Sequence, residues 1–203
     1  MKDIFKESAV AHYDMLIDEE NDPVRDPKPL RDYMDKWDGE DFIRRMELGG
    51  EKSVLEIGVG TGRLAVRVAR RCGEFWGIDF SNKTIERAKE NLVGFENVRL
   101  VCGDFMIFDI NRAFDVVYSS LTFMHIQNKQ WAIDKVAKLL NRGGRFVLSI
   151  DKNQSEFIDM GSRKIGIYPD SAEVIEACIV NAGLTLLEKY ETEFATVFVA
   201  EKS

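Results

Sequence analysis

From Ser53 onward, short apolar runs rich in β-branched and aromatic residues alternate with stretches of helical periodicity. The runs are "SVLEIG" (53–58), "FWGIDF" (75–80), "NVRLVCGD" (97–104), "FDVVYSS" (114–120) and "RFVLSI" (145–150). Several are nearly continuous in apolar residues, which is the pattern of strands covered on both faces. Between them Ile85, Ala88 and Leu92 keep helical spacing, as do Ile133, Val136, Leu139 and Leu140. Alternation at this interval predicts βαβ units and a parallel sheet, hence an α/β fold. "NRGG" (141–144) supplies helix-ending glycines ahead of the fifth run.

Beyond residue 150 the pattern changes. "YPDSAEVIEACIVNAGL" reads as a helix with Asp170 or Ser171 as cap and Val174, Ile175, Cys178, Ile179 and Ala182 on one face. "TLLEKYE" and "FATVFVAEK" follow with only a couple of residues between them, too few for a parallel crossover, so they pair antiparallel and the sheet ends in a reversed edge. Ahead of Ser53, helix-like segments at about 3–18 and 30–48 flank "NDPVRDPKPL", which carries three of the four prolines and reads as a hinge.

At 203 residues the chain suits one domain, 1–203, whose first 50 residues form a helical cap. Apolar residues at 45% and charged ones at 31% fit a soluble globular protein, and no run approaches the length of a membrane span. The opening "MKDIFKESAV" lacks the apolar block of a signal peptide, which makes the cytoplasm the expected compartment. Cys72, Cys102 and Cys178 stand singly, against both a disulfide framework and structural zinc, and read as small core residues; no metal is expected. A net charge of −7 disfavours nucleic acid as a partner. Arg63, Arg67 and Arg70 do share one helix face, which reads as a solvated polar face opposite Leu64, Ala65, Val68 and Ala69.

"EIGVGTG" places Gly58, Gly60 and Gly62 between an apolar run and a helix, with Glu56 just before. A dinucleotide fingerprint requires a third glycine where Arg63 stands, and a phosphate-binding loop requires Gly-Lys-Ser/Thr after the turn. Both fail. What remains is a turn without side chains at alternate positions, where a ligand can lie against the backbone and bond its amides. Asp79 ends the second run, where a carboxylate can accept from the two hydroxyls of a ribose. Ser81 is available to cap the next helix, which leaves Asp79 without that role. Asp104 ends the third run, within reach of an adenine amino group, and both acids face the crevice where open α/β sheets bind ligands.

With "VLEIGVGTG", "GIDFS", "CGDF", "FDVVYSS", "LLNRGGRFVLSI" and the closing helix and hairpin in this order, the chain from about residue 40 resembles the class I S-adenosylmethionine-dependent methyltransferases. The resemblance implies a Rossmann-like, seven-stranded, mostly parallel sheet with an antiparallel last strand, in three α/β/α layers. It implies S-adenosyl-L-methionine as cofactor and S-adenosyl-L-homocysteine as product. Glu56 and the amides from Gly58 to Gly62 would hold the methionine part, and Asp79 the ribose. Asp104 and the Phe105 amide would hold the adenine edge, Phe80 would pack on the ring, and the backbone near Ser119 would approach the sulfonium.

Methyl transfer from a sulfonium is an in-line displacement, so the protein need only align the acceptor, exclude water and remove a proton where one must leave. His125, just past the fourth run, is the candidate base, with a helix-capping or pocket-lining role as the alternative. Tyr13 and Tyr168 lie in the segments that cover substrate in this fold and are candidate substrate contacts, with packing as the alternative; Trp37 and His12 have less support. The place after the fourth run reads "YSSLTF", without the Pro-Pro-aromatic signature of base-amino methylation. A Pro-Cys nucleophile and the paired glutamates of arginine methyltransferases are also missing. By elimination the methyl acceptor is a small molecule, while oligomeric state stays open. Two other readings stand beside this one: a domain that binds the cofactor as a sensor or partner subunit without transferring a methyl, and a nucleotide-dependent oxidoreductase.

Overall fold

The five apolar runs become adjacent strands in a computed structural model that describes residues 4–203 apart from Met160 and Ser162. They are β1 (Ser53–Ile57), β2 (Glu74–Asp79), β3 (Val98–Cys102), β4 (Phe114–Ser120) and β5 (Leu140–Asp151). With β8 (Leu184–Glu191) and β9 (Ala195–Lys202) they form one sheet in the order β3-β2-β1-β4-β5-β9-β8. Strands β1 to β5 pair in parallel, while β9 runs against both β5 and β8. After β3 the chain crosses back to the other side of β1, so the β1/β4 boundary is a switch point and its carboxyl end opens a crevice.

Side chains alternate across this sheet and fill two apolar layers. One face carries Leu55, Ile57, Val117, Phe146 and Leu148 against α6 (Lys129–Leu139) and α7 (Ala172–Asn181). The other carries Val54, Val116, Tyr118 and Val147 against α3 (Gly39–Arg44), α4 (Ala65–Val68) and α5 (Asn82–Asn91). The result is the expected three-layer α/β/α arrangement. The N-terminal α1 (Ile4–Asp18) packs on α5 and on β7 (Lys164–Gly166), which forms a small hairpin with β6 (Phe157–Asp159). This brings α1 across the carboxyl end of the sheet.

Several sequence expectations need correction. The reversed strand is not the edge: β9 lies between β5 and β8. Its first six residues are all buried, whereas β8 alternates buried with exposed positions as an edge strand does. The segment 30–48 is not one helix but α2 (Lys28–Met34) and α3, broken where the buried Asp38 caps α3 and Gly39 takes φ +73°. Cys72 and Cys178 are buried, but Cys102 is exposed, because β3 is an edge strand of the sheet. "NRGG" does not end the helix, for α6 stops at Leu139 with Leu140 as its cap; the four residues lie in the irregular start of β5, where Gly143 has φ +70°.

The arginine face is not simply solvated either. The acidic stretch from Asp35 to Glu40 folds back onto it, so that Arg67 pairs with Asp35 at 2.9 Å and with Glu40 at 3.0 Å, and Arg71 with Glu40 at 2.5 Å. Arg63 binds Asp38 with both terminal nitrogens. Arg70 and Arg71 stay exposed, Arg70 with its guanidinium 5.5 Å above the Phe95 ring.

Candidate active site

A cavity of about 650 Å³ sits where the carboxyl ends of β1, β2, β3 and β4 meet α1. Glu56, Gly58, Gly60, Asp79, Phe80, Asp104 and Phe105 all line it, together with Tyr13 and His125. Residues up to 112 positions apart in sequence, from Tyr13 to His125, are therefore gathered on one ligand-sized space.

The glycine turn works differently from the sequence expectation. The Gly58 and Val59 amides donate to Ile78 O at 2.9 and 3.1 Å, Gly60 N to Asp79 Oδ2 at 3.0 Å, and Gly62 N to Val59 O at 3.0 Å. Those four donors are thus used within the protein, and the loop serves by close approach. A methyl group on Gly58 (φ +77°) would come within 1.9 Å of Thr122 Oγ1, whereas one on Gly60 (φ +56°) would meet nothing within 4 Å. Gly58 therefore lets the loop pack on the turn after β4, and Gly60 leaves the cavity wall bare. Gly62 (φ +99°) does not line the cavity; its position faces Leu92 and supports the loop from behind.

Burial dominates the electrostatics. Glu56 lies in the sheet between Gly77 of β2 and Tyr118 of β4, and accepts the Tyr118 hydroxyl at 2.7 Å. Burial pushes its carboxyl up to about 8, against the opposing pull of Tyr118 and Arg63. Burial also raises Asp79, opposed by the N–H groups of Ser81, Gly60 and Phe80 that its oxygens accept. Asp104 accepts from the Met106 amide at 2.9 Å, which bends the chain past β3 into the cavity wall.

On the opposite wall, Tyr13 Oη lies 2.9 Å from His125 Nε2, and the rings meet edge to face at 5.5 Å. His125 sits in a one-turn 3-10 helix, Phe123–His125. Burial, then the charges of Lys129 and His12, lower its pKa to about 4, so the imidazole is neutral at physiological pH. Its Nδ1 is buried and has no hydrogen-bond partner among the described residues. Burial raises the Tyr13 pKa, with the Asp79 charge adding to the effect. The neighbouring His12 lines the cavity too, and its Nδ1 accepts from Arg163 Nε at 2.9 Å.

Three sequence candidates fall elsewhere. Ser119 is fully buried and donates to Ile57 O at 2.8 Å; the cavity wall is made by the next three residues, Ser120, Leu121 and Thr122. Tyr168 is not a cavity residue: its amide donates to Met124 O at 2.8 Å and its carbonyl accepts from Lys129 Nζ at 3.0 Å, which fastens it behind the His125 turn. Trp37 packs on Phe194 and donates to Asp151 Oδ2 at 3.1 Å, away from the cavity. Sequence reasoning missed Arg63 as a wall residue, Asp38 behind it, and Leu121, whose φ of +55° marks a strained turn in the wall.

The donor set suits a nucleoside-linked amino acid. Carboxylates end adjacent strands where hydroxyl and amino groups can be met, a third lies by the bare loop, and Thr61 Oγ1 is buried there with no partner among the described residues. Together with the sheet order, this arrangement defines a Rossmann-like methyltransferase domain. A family model described as a methyltransferase domain matches residues 48–193. An uncharacterized methyltransferase of Anoxybacillus flavithermus is 37% identical over 123 residues, 58% of this chain and 56% of its own length. The chain thus spans about half the length of the curated relatives it matches. Among solved structures, an S-adenosylmethionine-dependent methyltransferase from Clostridium acetobutylicum superposes with TM-score 0.70 at 18% identity, covering 97% of this chain and 98% of that one. The N-methyltransferase NodS of Bradyrhizobium japonicum, in complex with S-adenosyl-L-homocysteine, gives 0.65 at 19% identity, covering 80% and 84%. The chain belongs to the class I S-adenosylmethionine-dependent methyltransferase family. No described helix is long and apolar enough to cross a membrane.

Proposed function

We propose that the protein transfers a methyl group from S-adenosylmethionine to a small molecule. The observation that carries this reading is the convergence of Glu56, Asp79 and Asp104 on one cavity covered by α1. When bound, the cofactor supplies an electrophilic methyl on sulfur, open to in-line displacement. Asp79 accepts from the ribose hydroxyls, Asp104 and Phe105 bind the adenine edge, Phe80 packs on the ring, and Glu56 faces the ammonium beside Gly58 and Gly60. The first 50 residues act as a cap, with Tyr13, Leu16 and Ile17 of α1 excluding water from the acceptor. The size of the cavity beneath α1 and the net charge of −7 both suit a small acceptor better than a polyanion.

His125 receives the acceptor's proton in this reading. Its neutral form carries the required lone pair, and Tyr13, which lines the same cavity with its hydroxyl 2.9 Å from Nε2, serves as a relay. The Tyr13 oxygen takes the acceptor's proton as its own passes to Nε2.

Calorimetry with S-adenosylhomocysteine, followed by incubation with methyl-labelled cofactor and a metabolite extract, tests the proposal. Binding and a labelled low-molecular-weight product are expected. Absence of binding overturns the cofactor assignment. Tight binding with no labelled product from any pool replaces transfer by the sensor reading.

A further inference from the structure

The cavity wall is anchored by a side chain outside the stretch that matches the methyltransferase domain. Asp38 belongs to the N-terminal segment, ahead of residue 48, and its side chain is fully buried. It receives four polar contacts from three residues far apart in the sequence or the fold. The Gly39 amide donates to Oδ1 at 2.6 Å, which starts α3. Arg63, just past the glycine turn, donates through Nη1 to Oδ1 at 3.0 Å and through Nη2 to Oδ2. Ser120, the last residue of β4, donates to Oδ2 at 2.7 Å.

Each contact fixes a part of the cavity. Arg63 is a wall residue with a side chain only 15% exposed, so its charge needs a buried partner; burial alone disfavours the guanidinium charge, and Asp38, with smaller help from Glu56 and Asp35, more than offsets this. Two parallel N–H···O bonds set its plane as well as its place. Arg63 also acts on Glu56, whose carboxyl it helps to lower against burial. Ser120 precedes Leu121, and the Asp38 bond holds that left-handed turn in the wall, where Thr122 Oγ1 donates to Ser120 O at 3.1 Å.

We propose that Asp38 is a positioning residue for the amino-acid end of the cofactor. Resting on the cofactor reading above, it aims Arg63 at the carboxylate of the methionyl group, while Glu56 faces the ammonium. It ties this aim to closure of the N-terminal cap. An Arg63 without Asp38 would keep its charge but lose its fixed plane and would turn toward Glu56.

Two ligands separate positioning from general support. S-adenosylhomocysteine carries the amino-acid end; 5′-methylthioadenosine keeps the adenine, ribose and sulfur and lacks it. Asp38→Asn keeps the size and the Gly39 acceptor but presents an amide N–H₂ where Arg63 or Ser120 donates. It should weaken S-adenosylhomocysteine by about tenfold or more and leave methylthioadenosine within about twofold. Arg63→Gln should give the same split and serves if Asp38→Asn fails to fold, as judged by near-ultraviolet circular dichroism. An equal loss for both ligands reduces Asp38 to support of the fold, and an unchanged pair removes it from the site; either result overturns the proposal. Wild-type protein that binds neither ligand overturns the cofactor reading and this inference with it, whereas wild-type binding without the split sinks the inference alone.

Discussion

Tyr118 donates its hydroxyl proton to Glu56 at 2.7 Å, from directly opposite registers of β4 and β1. Even with that bond, burial holds the Glu56 carboxyl at about 8, so the group is protonated in the ligand-free protein at neutral pH. Pairing with the ammonium of the cofactor requires the ionised form, so binding releases a proton. Affinity for S-adenosylhomocysteine should rise with pH by up to about tenfold per unit below about pH 8 and level off above it. Calorimetry in buffers of different ionisation enthalpy should find close to one proton released near neutrality. The same shift makes the ligand-free fold lose stability as pH climbs from the ordinary carboxylate value to about 8, because only the folded state keeps the proton. Glu56→Gln should abolish that slope in thermal melts. A pH-independent affinity would contradict the pairing.

Asp79 is held by the Gly60 and Ser81 amides at 3.0 Å each, so its carboxylate is fixed before any ligand arrives. In the proposed binding mode it accepts from ribose hydroxyls. Asp79→Ala leaves those hydroxyls without their acceptor and frees the Gly60 amide. Binding of S-adenosylhomocysteine should weaken by about 1 to 3 kcal/mol, read by calorimetry. Unchanged affinity would remove Asp79 from the ribose site.

His125 differs from an ordinary histidine in remaining neutral far below pH 6. Its lowered pKa of about 4 follows from burial first and then from the Lys129 and His12 charges. The ring resonances in nuclear magnetic resonance should therefore stay flat from about pH 5.5 to pH 8, and the rate with an identified acceptor should show no histidine limb there. As the proton acceptor, His125→Gln should lower turnover by about a hundredfold or more. Tyr13→Phe, which breaks the 2.9 Å contact, should follow it in kcat with little change in cofactor affinity. A mild effect of both changes would return the pair to a packing role.

How much of this was legible in the sequence depends on how local each signal is. Asp79 and Asp104 are legible because each closes its own apolar run, and strand ends in a parallel sheet point to one crevice. Gly58, Gly60 and Gly62 mark the turn, but not their separate duties, since those depend on Thr122 and Leu92. Asp38 has no local signature at all: its partners Arg63 and Ser120 lie 25 and 82 positions away. Its neighbour Gly39 is the trace it leaves, a left-handed residue that breaks the apparent helix of 30–48. The place of β9 inside the sheet was present in the pattern, because "ATVFVA" is continuously apolar while "LTLLEKYE" is not. Tyr168 is a contrasting case: its place in a covering loop is legible, but its segment is fixed by backbone bonds to Met124 and Lys129, and the residue is not part of the cavity lining.

Lys129 and Asp170 form a buried ion pair at 2.7 Å behind the His125 turn. The ammonium also donates to Phe123 O at 2.5 Å and to Tyr168 O at 3.0 Å, so one cation joins the turn, the Tyr168 segment and the Asp170 carboxylate. Burial disfavours both charges, lowering Lys129 and raising Asp170, and each is kept charged by the other. Lys129→Met strands the carboxylate and two carbonyls, and should cost about 3 to 5 kcal/mol in urea unfolding near neutral pH. Asp170 without its cation takes a still higher pKa, so the folded state holds a proton that the unfolded chain releases. The deficit should therefore shrink as pH falls toward the ordinary carboxylate range and grow as pH rises. Adding Asp170→Asn to Lys129→Met should recover part of the loss at neutral pH by removing the unpaired charge. A double variant no more stable than the single one, or a deficit that ignores pH, would show that the pair does not hold this wall by its charge.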